Sequence, residues 1–400
     1  MSKYPVLLVG GGMISREVIL PTLFQIQRMG EIGEIAVCSR RGSTLHRLRE
    51  MFPNNPFRGY PGFDSDPEVS HPDLYKQALA EAAPGTVVLV ATPDHLHTTV
   101  VLAALEHGLH CVVQKPLCLN TDDLYTIKSK ADAIGGYVLT DYHKRHDPAV
   151  RAARYRFRQG DLGEMLYGHA WIEERREIAF DHFKLWIDQS SSFEYVGCHY
   201  VDAYYYVTGL RPRRVIGFGQ KKLIKQKTGQ DAFDAVQGVV EWEDGSTLWV
   251  QTSWVLPQAQ SALTSQGLML HGTEGEYWAD HKARNCRFVT EKDGYEDFNP
   301  NFFRTYDSWD PERESDVWGY GYESIIQGVH DIIRLQEATE GMGEADALAR
   351  RRELLAALET KRALPSQAIV GTAVNEAVRL SIANDGRGVR FDANLRPGLE

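Results

Sequence analysis

The run Gly10-Gly11-Gly12-Met13-Ile14-Ser15 is the strongest chemical signal in the chain. It follows an apolar run, Pro5–Val9, and opens a helix-period segment, Ile14–Arg28. The first two glycines fit G-x-G-x-x-G/A, with Ser15 at the third position. Gly10 permits a tight turn, and Gly12 removes a Cβ so that backbone can approach a pyrophosphate. The helix N-terminus behind them, starting at Met13 and Ile14, offers free N–H groups and a partial positive charge. Ser15 is small enough for close helix–strand packing. Placement between a strand and a helix is what separates this loop from a glycine turn without a ligand. A second signal ends the next strand, where an acid would bind the ribose 2′-hydroxyl of NAD. Here the residues are Ser39, Arg40 and Arg41, with no acid between Glu34 and Glu50. Ser39 and the Arg40 fork can hold a 2′-phosphate, which favours NADP over NAD. The alternative is a pair of solvated loop charges.

These groups need a scaffold that repeats strand and helix. Pro5–Val9, Glu34–Cys38, Thr86–Ala91, His110–Val113 and Tyr137–Thr140 read as strands, with helices at Ile14–Arg28 and His97–His107. That alternation predicts a parallel sheet with helices on both faces, an α/β Rossmann domain. Five prolines between Pro53 and Pro72 predict an irregular loop. The pattern changes near residue 145. Helices are expected at Pro148–Gln159 and from about Ser192 to Thr208, and a β-rich stretch from Arg213 to Val289. Asp244-Gly245 between strand-like runs predicts a hairpin. Helices return near Gly321–Leu335, Ala345–Thr360 and Gln367–Asn384. The expected division is a dinucleotide-binding domain at 1–145 and an α+β domain at 146–400. The second would carry an open, mostly antiparallel sheet for substrate binding and oligomerisation, with C-terminal helices able to pack back on the first.

Three further segments carry a family likeness. They are Ala91-Thr92-Pro93-Asp94-His95-Leu96-His97, Gln114-Lys115-Pro116, and Tyr195-Val196-Gly197-Cys198-His199-Tyr200-Val201-Asp202. With the glycine loop, in this order and spacing, the chain resembles the Gfo/Idh/MocA family of glucose–fructose oxidoreductase and inositol dehydrogenase. The resemblance implies cofactor contact and packing for Thr92, Pro93, His95, His97 and Gln114, and a catalytic Lys115 that also meets cofactor and substrate. A Lys at the carboxyl end of a parallel strand faces the ligand crevice, where burial and nearby cations suit it to proton transfer. The usual Glu-Lys-Pro is Gln114-Lys115-Pro116 here, and the first Asp of Asp-x-Gly-x-His-x-x-Asp is Tyr195. Ser191 and Glu194 fit a capping box, so a helix should begin there. Tyr195, His199 and Asp202 then share one face at i, i+4 and i+7. His199 can exchange a proton with a hydroxyl near neutral pH, and Tyr195 can donate a hydrogen bond or relay a proton. Asp202 either orients His199 or closes a structural bond. The resemblance places the domain crossover at His143–Pro148, where His143 and Lys144 either bind substrate or form a charged linker. Trp186 can stack on a sugar's apolar face.

The resemblance implies a hydride transfer between a nicotinamide and a hydroxyl-bearing carbon of a sugar, cyclitol or glycoside. Two alternatives stay open: a glycosidase that keeps its nucleotide and redox state, and a non-catalytic nucleotide sensor. The 400 residues carry a formal charge of -10, which argues against a nucleic-acid partner. No apolar run reaches the roughly 18–20 residues of a membrane span. No signal peptide is read, so the expected location is cytoplasmic. Five cysteines with no CxxC, and His95 and His97 at i, i+2, predict neither a disulfide framework nor a metal site. The family expectation is a homo-oligomer, dimer or tetramer.

Overall fold

The structure, a computed structural model, describes residues 4–400. They form two compact units. The first comprises the chain up to Leu117, Asp122–His143 and Phe303–Gln367, and the second Cys118–Thr121, Lys144–Phe302 and Ala368–Glu400. The expected division at residue 145 is coarser than this partition.

In chain order the first elements are β1 (Val6–Val9), α1 (Leu20–Arg28), β2 (Ile35–Cys38), α2 (Gly42–Met51), β3 (Arg58–Tyr60) and α3 (Leu74–Ala80). There follow β4 (Val87–Val90), α4 (His97–Glu106), β5 (His110–Gln114), α5 (Thr121–Ile134) and β6 (Val138–Asp141). The strands make one parallel sheet in the order β3-β2-β1-β4-β5-β6. Every residue of β1 and β4 is buried, as continuous apolar runs covered on both faces require. The order reverses between β1 and β4, which opens a crevice at their carboxyl ends. One expectation fails here. The proline-rich stretch contains β3, a three-residue edge strand paired with β2 at Ala36, Val37 and Cys38. An edge position tolerates the prolines around it, since only one side of the strand bonds to the sheet.

The second unit begins with α6 (Pro148–Arg158), whose first turn carries Pro148 and whose N-cap, Asp147, accepts from the Ala149 N–H at 3.0 Å. Then come β7 (Met165–Arg175), α7 (Cys198–Thr208), β8 (Pro212–Gln220), α8 (Leu223–Thr228), β9 (Ala235–Trp242), β10 (Thr247–Leu256), β11 (Thr264–Gly272) and β12 (Glu276–Asp280). Two small hairpins follow, β13 (Arg287–Thr290) with β14 (Gly294–Asp297), and β15 (Arg304–Asp307) with β16 (Ser315–Trp318). The chain closes with α9 (Tyr320–Glu337), α10 (Glu344–Leu358), α11 (Pro365–Ile382), β17 (Val389–Phe391) and β18 (Pro397–Leu399).

An eight-stranded sheet runs β12-β11-β7-β10-β9-β8-β17-β18. In this sheet β7 and β10 pair in parallel, and the other neighbours are antiparallel. Asp244-Gly245 does turn β9 into β10, with Gly245 at φ +87°. Alternate residues of β9 are buried, as a sheet covered on one face predicts. Gly238 sits where a Cβ would meet Phe193 at 2.8 Å and Val378 of α11 at 3.0 Å. The other face leaves Tyr167, Phe218, Trp249 and Trp278 about half exposed. In the first unit, Gly328 of α9 makes a similar approach: a Cβ there would lie 2.6 Å from Val112 of β5.

Candidate active site

The glycine loop sits at the carboxyl end of β1, at the reversal of strand order. Gly10 has φ +113°, and a Cβ on it would fall 2.2 Å from the Ala91 carbonyl oxygen. Glycine is required there by both conformation and space. Gly12 is exposed, and a Cβ on it would meet nothing within 4 Å. The room in front of Gly12 is open to a ligand rather than filled by the fold. The Gly12 carbonyl accepts from the Arg16 N–H at 3.2 Å, so the helix starts at this residue. Met13 and Ile14 are half-buried in its first turn, and Ser15–Ile19 follow as a π-turn leading into α1. Buried Ser15 donates its hydroxyl to the Gly10 carbonyl at 2.8 Å, which ties the loop closed.

Beside the loop, the Thr92 hydroxyl oxygen is buried with no hydrogen-bond partner among the described residues. A Cβ on Gly10 would come within 3.0 Å of the Thr92 nitrogen, so this hydroxyl belongs to the same corner. An orphaned hydroxyl, an open cradle at Gly12 and a helix N-terminus together fit a dinucleotide phosphate. At the end of β2, Ser39 is buried and its N–H donates to the Tyr60 carbonyl at 2.8 Å. Exposed Arg40 donates Nε–H to the Ser70 hydroxyl at 2.7 Å, which ties the guanidinium to the segment ahead of α3. Arg41 is exposed and leads into α2.

After β4, Thr92 and Pro93 are half-buried and His95 is exposed. His97 is fully buried, with Nδ1 2.7 Å from the Pro116 carbonyl and Nε2 2.9 Å from the Thr92 carbonyl. Burial, with help from the Lys115 charge, pushes it down to about 4. The neutral ring links the loop after β4 to the end of β5. It has no open surface for a ligand, so of the contact and packing expected of it, packing is what the geometry provides. Lys115 follows β5 directly, is buried to 7% exposure, and precedes a cis peptide to Pro116. Gln114 lies opposite Asp141 on β6 and donates its amide to Asp141 Oδ2 at 2.7 Å. Burial raises the Asp141 carboxyl above the usual carboxylate range, while Gln114, Ser324 and Lys115 pull it down. His143, half-buried, has its ring 5.7 Å from that of Tyr320.

In the second unit the expected helix starts with a π-turn, Phe193–Gly197, before α7. The Ser191 hydroxyl accepts from the Glu194 N–H at 3.3 Å, one half of the expected capping box. Tyr195 packs among aromatic rings. Phe183 lies 4.7 Å away, Trp186 6.1 Å and Trp254 6.2 Å, and the Phe183 and Trp186 rings lie 4.3 Å apart, tilted by 40°. Tyr195 and Trp186 are therefore neighbours, both half-buried. His199 is buried in α7. Asp202 gives both carboxylate oxygens to Arg145, Oδ1 to Nη2 at 2.6 Å and Oδ2 to Nε at 2.8 Å. Burial favours the neutral acid, and the bidentate fork opposes it. Of the two readings of Asp202, the geometry supplies the structural bond. Lys144 is almost wholly buried, donates to Gln266 Oε1 at 2.6 Å and lies 4.9 Å over the Tyr200 ring. Burial pushes it down to about 8. It is neither a solvated linker charge nor an open substrate contact.

Sequence reasoning missed Asp141, Arg145, Phe183 and Trp254. An acid closing the apolar strand Tyr137–Thr140 was a readable sign of Asp141, and the period-two pattern around Trp254 marked that ring as buried. No group of three or more His, Cys, Asp or Glu side chains that could hold a metal occurs among the described residues. No helix among them is long and apolar enough to cross a membrane.

Residues 5–142 match the oxidoreductase family with an NAD-binding Rossmann fold (Gfo/Idh/MocA), and residues 150–278 match that family's C-terminal domain. A 2,7-anhydro-N-acetylneuraminate hydratase of Mediterraneibacter gnavus is 28% identical over 161 residues, which is 38% of this chain and 40% of that protein. A D-glucoside 3-dehydrogenase of Escherichia coli is 25% identical over 270 residues, 64% of this chain and 71% of that one. The chain thus spans under half the length of the first relative and about seven-tenths of the second. Among solved structures, an inositol dehydrogenase homologue from Azotobacter vinelandii, complexed with NADH and myo-inositol, superposes with a TM-score of 0.68 at 20% identity, covering 98% of both chains. The dinucleotide corner and both matched regions lead to one conclusion: the chain belongs to the Gfo/Idh/MocA oxidoreductase family.

Proposed function

We propose that this protein is an NAD(P)-dependent dehydrogenase or reductase acting on a hydroxyl-bearing carbon of a sugar, cyclitol or glycoside. The observation that carries the reading is Lys115, buried at the end of β5 and braced through Pro116 by His97 to the loop at Thr92. Gly10, Gly12, the turn at Met13 and Ile14, Thr92 and Pro93 hold the cofactor's phosphates and ribose. A bound nicotinamide supplies the hydride chemistry. Lys115 takes or returns the hydroxyl proton at Nζ, with His199 as the second proton-handling group. Tyr195 and Trp186 offer an aromatic wall to the substrate's apolar face. Ser39 and Arg40, the latter held by Ser70, favour NADP. Asp202 and Lys144 act as structural groups. The half-exposed aromatic face of the large sheet supports a homo-oligomer covered there by a second copy.

The test is a screen of polyols, cyclitols and glycosides for absorbance change at the nicotinamide band, with Lys115→Met as control. Turnover should be lost in Lys115→Met while dinucleotide binding is retained; a variant with full turnover would refute the role of Lys115. A nucleotide sensor would instead bind the dinucleotide and show no turnover on any of these compounds in either form. One observation supports a second reading. Tyr195, at the family's usual Asp position, lies among aromatic rings, and a hydratase is among the relatives. Under that reading the substrate is consumed with no net change in NAD(P)H, which product analysis alongside the absorbance trace would reveal.

A further inference from the structure

A pocket of about 110 Å³ lies within the second unit, between the segment 188–194, the segment 231–236 and α11. Lys115, Tyr195 and His199 do not line it, so it is no part of the candidate active site. Its walls are Phe193, Phe233, Val236, Val378 and Ile382. Asn375 of α11 lines it too and is wholly buried. The Asn375 Nδ2 donates to the Glu194 carbonyl at 3.5 Å, and Oδ1 has no hydrogen-bond partner among the described residues. That donation sets which way the amide is turned, because the Glu194 carbonyl can only accept. Oδ1 is therefore a buried acceptor without a donor, on a residue of the pocket wall.

The charged groups of the lining are Asp188, Glu194, Asp231 and Arg379, three carboxylates against one guanidinium. Arg379 is committed: Nη1 donates to Glu194 Oε1 at 2.5 Å and Nη2 to the Leu119 carbonyl at 2.9 Å. Asp231 is answered by Lys221 at 2.6 Å and Lys225 at 3.2 Å. Asp188, exposed at the rim, has no ion-pair partner among the described residues. An anion would meet this excess of carboxylate, and a plain hydrocarbon would leave Asn375 Oδ1 unmet. The occupant that answers both brings positive charge and N–H donors on a short apolar body. We propose that this pocket is a binding site for a small primary alkylammonium. Asn375 Oδ1 accepts from the ammonium, Asp188 is its counter-charge, and the alkyl chain lies against Phe193, Phe233 and Val378. The volume suits about four or five heavy atoms, since a cavity of about 150 Å³ takes a benzene ring. Phe193 and Glu194 belong to the π-turn that presents Tyr195, so an occupant bears on that turn without entering the aromatic cluster. Binding here requires neither Lys115 nor a bound nicotinamide.

The experiment is saturation-transfer NMR on the full chain with n-butylammonium as the probe, titrated through the roughly millimolar range expected of so small a ligand. Two competitors separate the interactions. Tetramethylammonium carries the charge without an N–H donor, and 1-butanol carries a donor without the charge. Each should bind at least about fivefold more weakly than butylammonium. Asp188→Asn, on an exposed side chain, should weaken butylammonium about threefold or more. Asn375→Leu should weaken it about tenfold. Tetramethylammonium binding as well as butylammonium marks a general pull of an acidic protein on cations, and 1-butanol binding as well marks a merely apolar pocket; either result overturns the proposal. Unchanged butylammonium binding in Asp188→Asn, or in a folded Asn375→Leu, overturns it too. So does the absence of saturable binding, which leaves the pocket to water only. If Asn375→Leu does not fold, Asp188→Asn and the two competitors decide.

Discussion

Gly10 and Gly12 lie two residues apart, and alanine at each should fail in opposite ways. At Gly10 the new Cβ lands 2.2 Å from the Ala91 carbonyl oxygen, a backbone atom that cannot swing aside, and φ is +113°. A disfavoured backbone region and an unrelieved clash together cost about 3 kcal/mol or more. At Gly12 the Cβ meets nothing within 4 Å. The fold then loses only a favourable helix-start residue, about 1 kcal/mol at most. The same methyl group, however, stands where a pyrophosphate must approach the first-turn N–H groups. Losing charge-assisted bonds of about 1.5–3 kcal/mol corresponds to roughly 10- to 100-fold weaker dinucleotide binding. Denaturant unfolding measures the first effect, and calorimetric titration with NAD and NADP the second. Gly10→Ala should unfold early, whereas Gly12→Ala should unfold near wild type and bind poorly. If Gly12→Ala bound both dinucleotides within about twofold of wild type, the pyrophosphate would not rest on this loop.

Arg40→Ala should weaken NADP about tenfold or more while changing NAD little, because only NADP presents a 2′-phosphate; equal losses would refute the assignment. Asp202→Ala leaves Arg145 buried without its carboxylate and should destabilise by about 3–5 kcal/mol, read by denaturant unfolding, with dinucleotide affinity unchanged. His97 and His110 are both pushed down to about 4 by burial. Their neutral forms are favoured in the folded protein, so the stability they contribute is whole above about pH 6.5 and falls as pH drops toward about 4, by up to about 3 kcal/mol each. His110 accepts from the Tyr137 N–H at 3.1 Å, and His110→Gln can keep an acceptor there without the charge. Unfolding free energies at pH 7, 6 and 5 should then decline less steeply for that variant; an identical slope would disprove the account.

The parallel sheet was legible because fully buried strands must read as continuous apolar runs, as β1 and β4 do. The glycine loop was legible because its geometry leaves no other residue possible at Gly10. β3 was hidden since three edge residues among prolines carry no period. β7 escaped because its open face bears Tyr167, His169 and Glu173, which mask the alternation that its buried face keeps. The π-turn at Phe193–Gly197 leaves no mark in composition, yet it sets how Tyr195 is presented ahead of α7. The pairs that govern the candidate site, Gln114 with Asp141 and Arg145 with Asp202, join residues 27 and 57 positions apart. Strand register and helix packing create those pairs, and neither is written in local spacing.

The interleaving of the two units bears on how this protein can be divided. The chain passes from one unit to the other five times, and α9, which presses Gly328 onto β5, lies more than 170 residues beyond β6. A fragment ending at residue 143 keeps all six strands of the parallel sheet and loses the helix that covers two of them. The dinucleotide unit is thus not a detachable module in the genetic sense. A stop before α9, or a deletion that removes it, uncovers Val112 and Leu139, so the first half of the gene product depends on the last fifth for its own core.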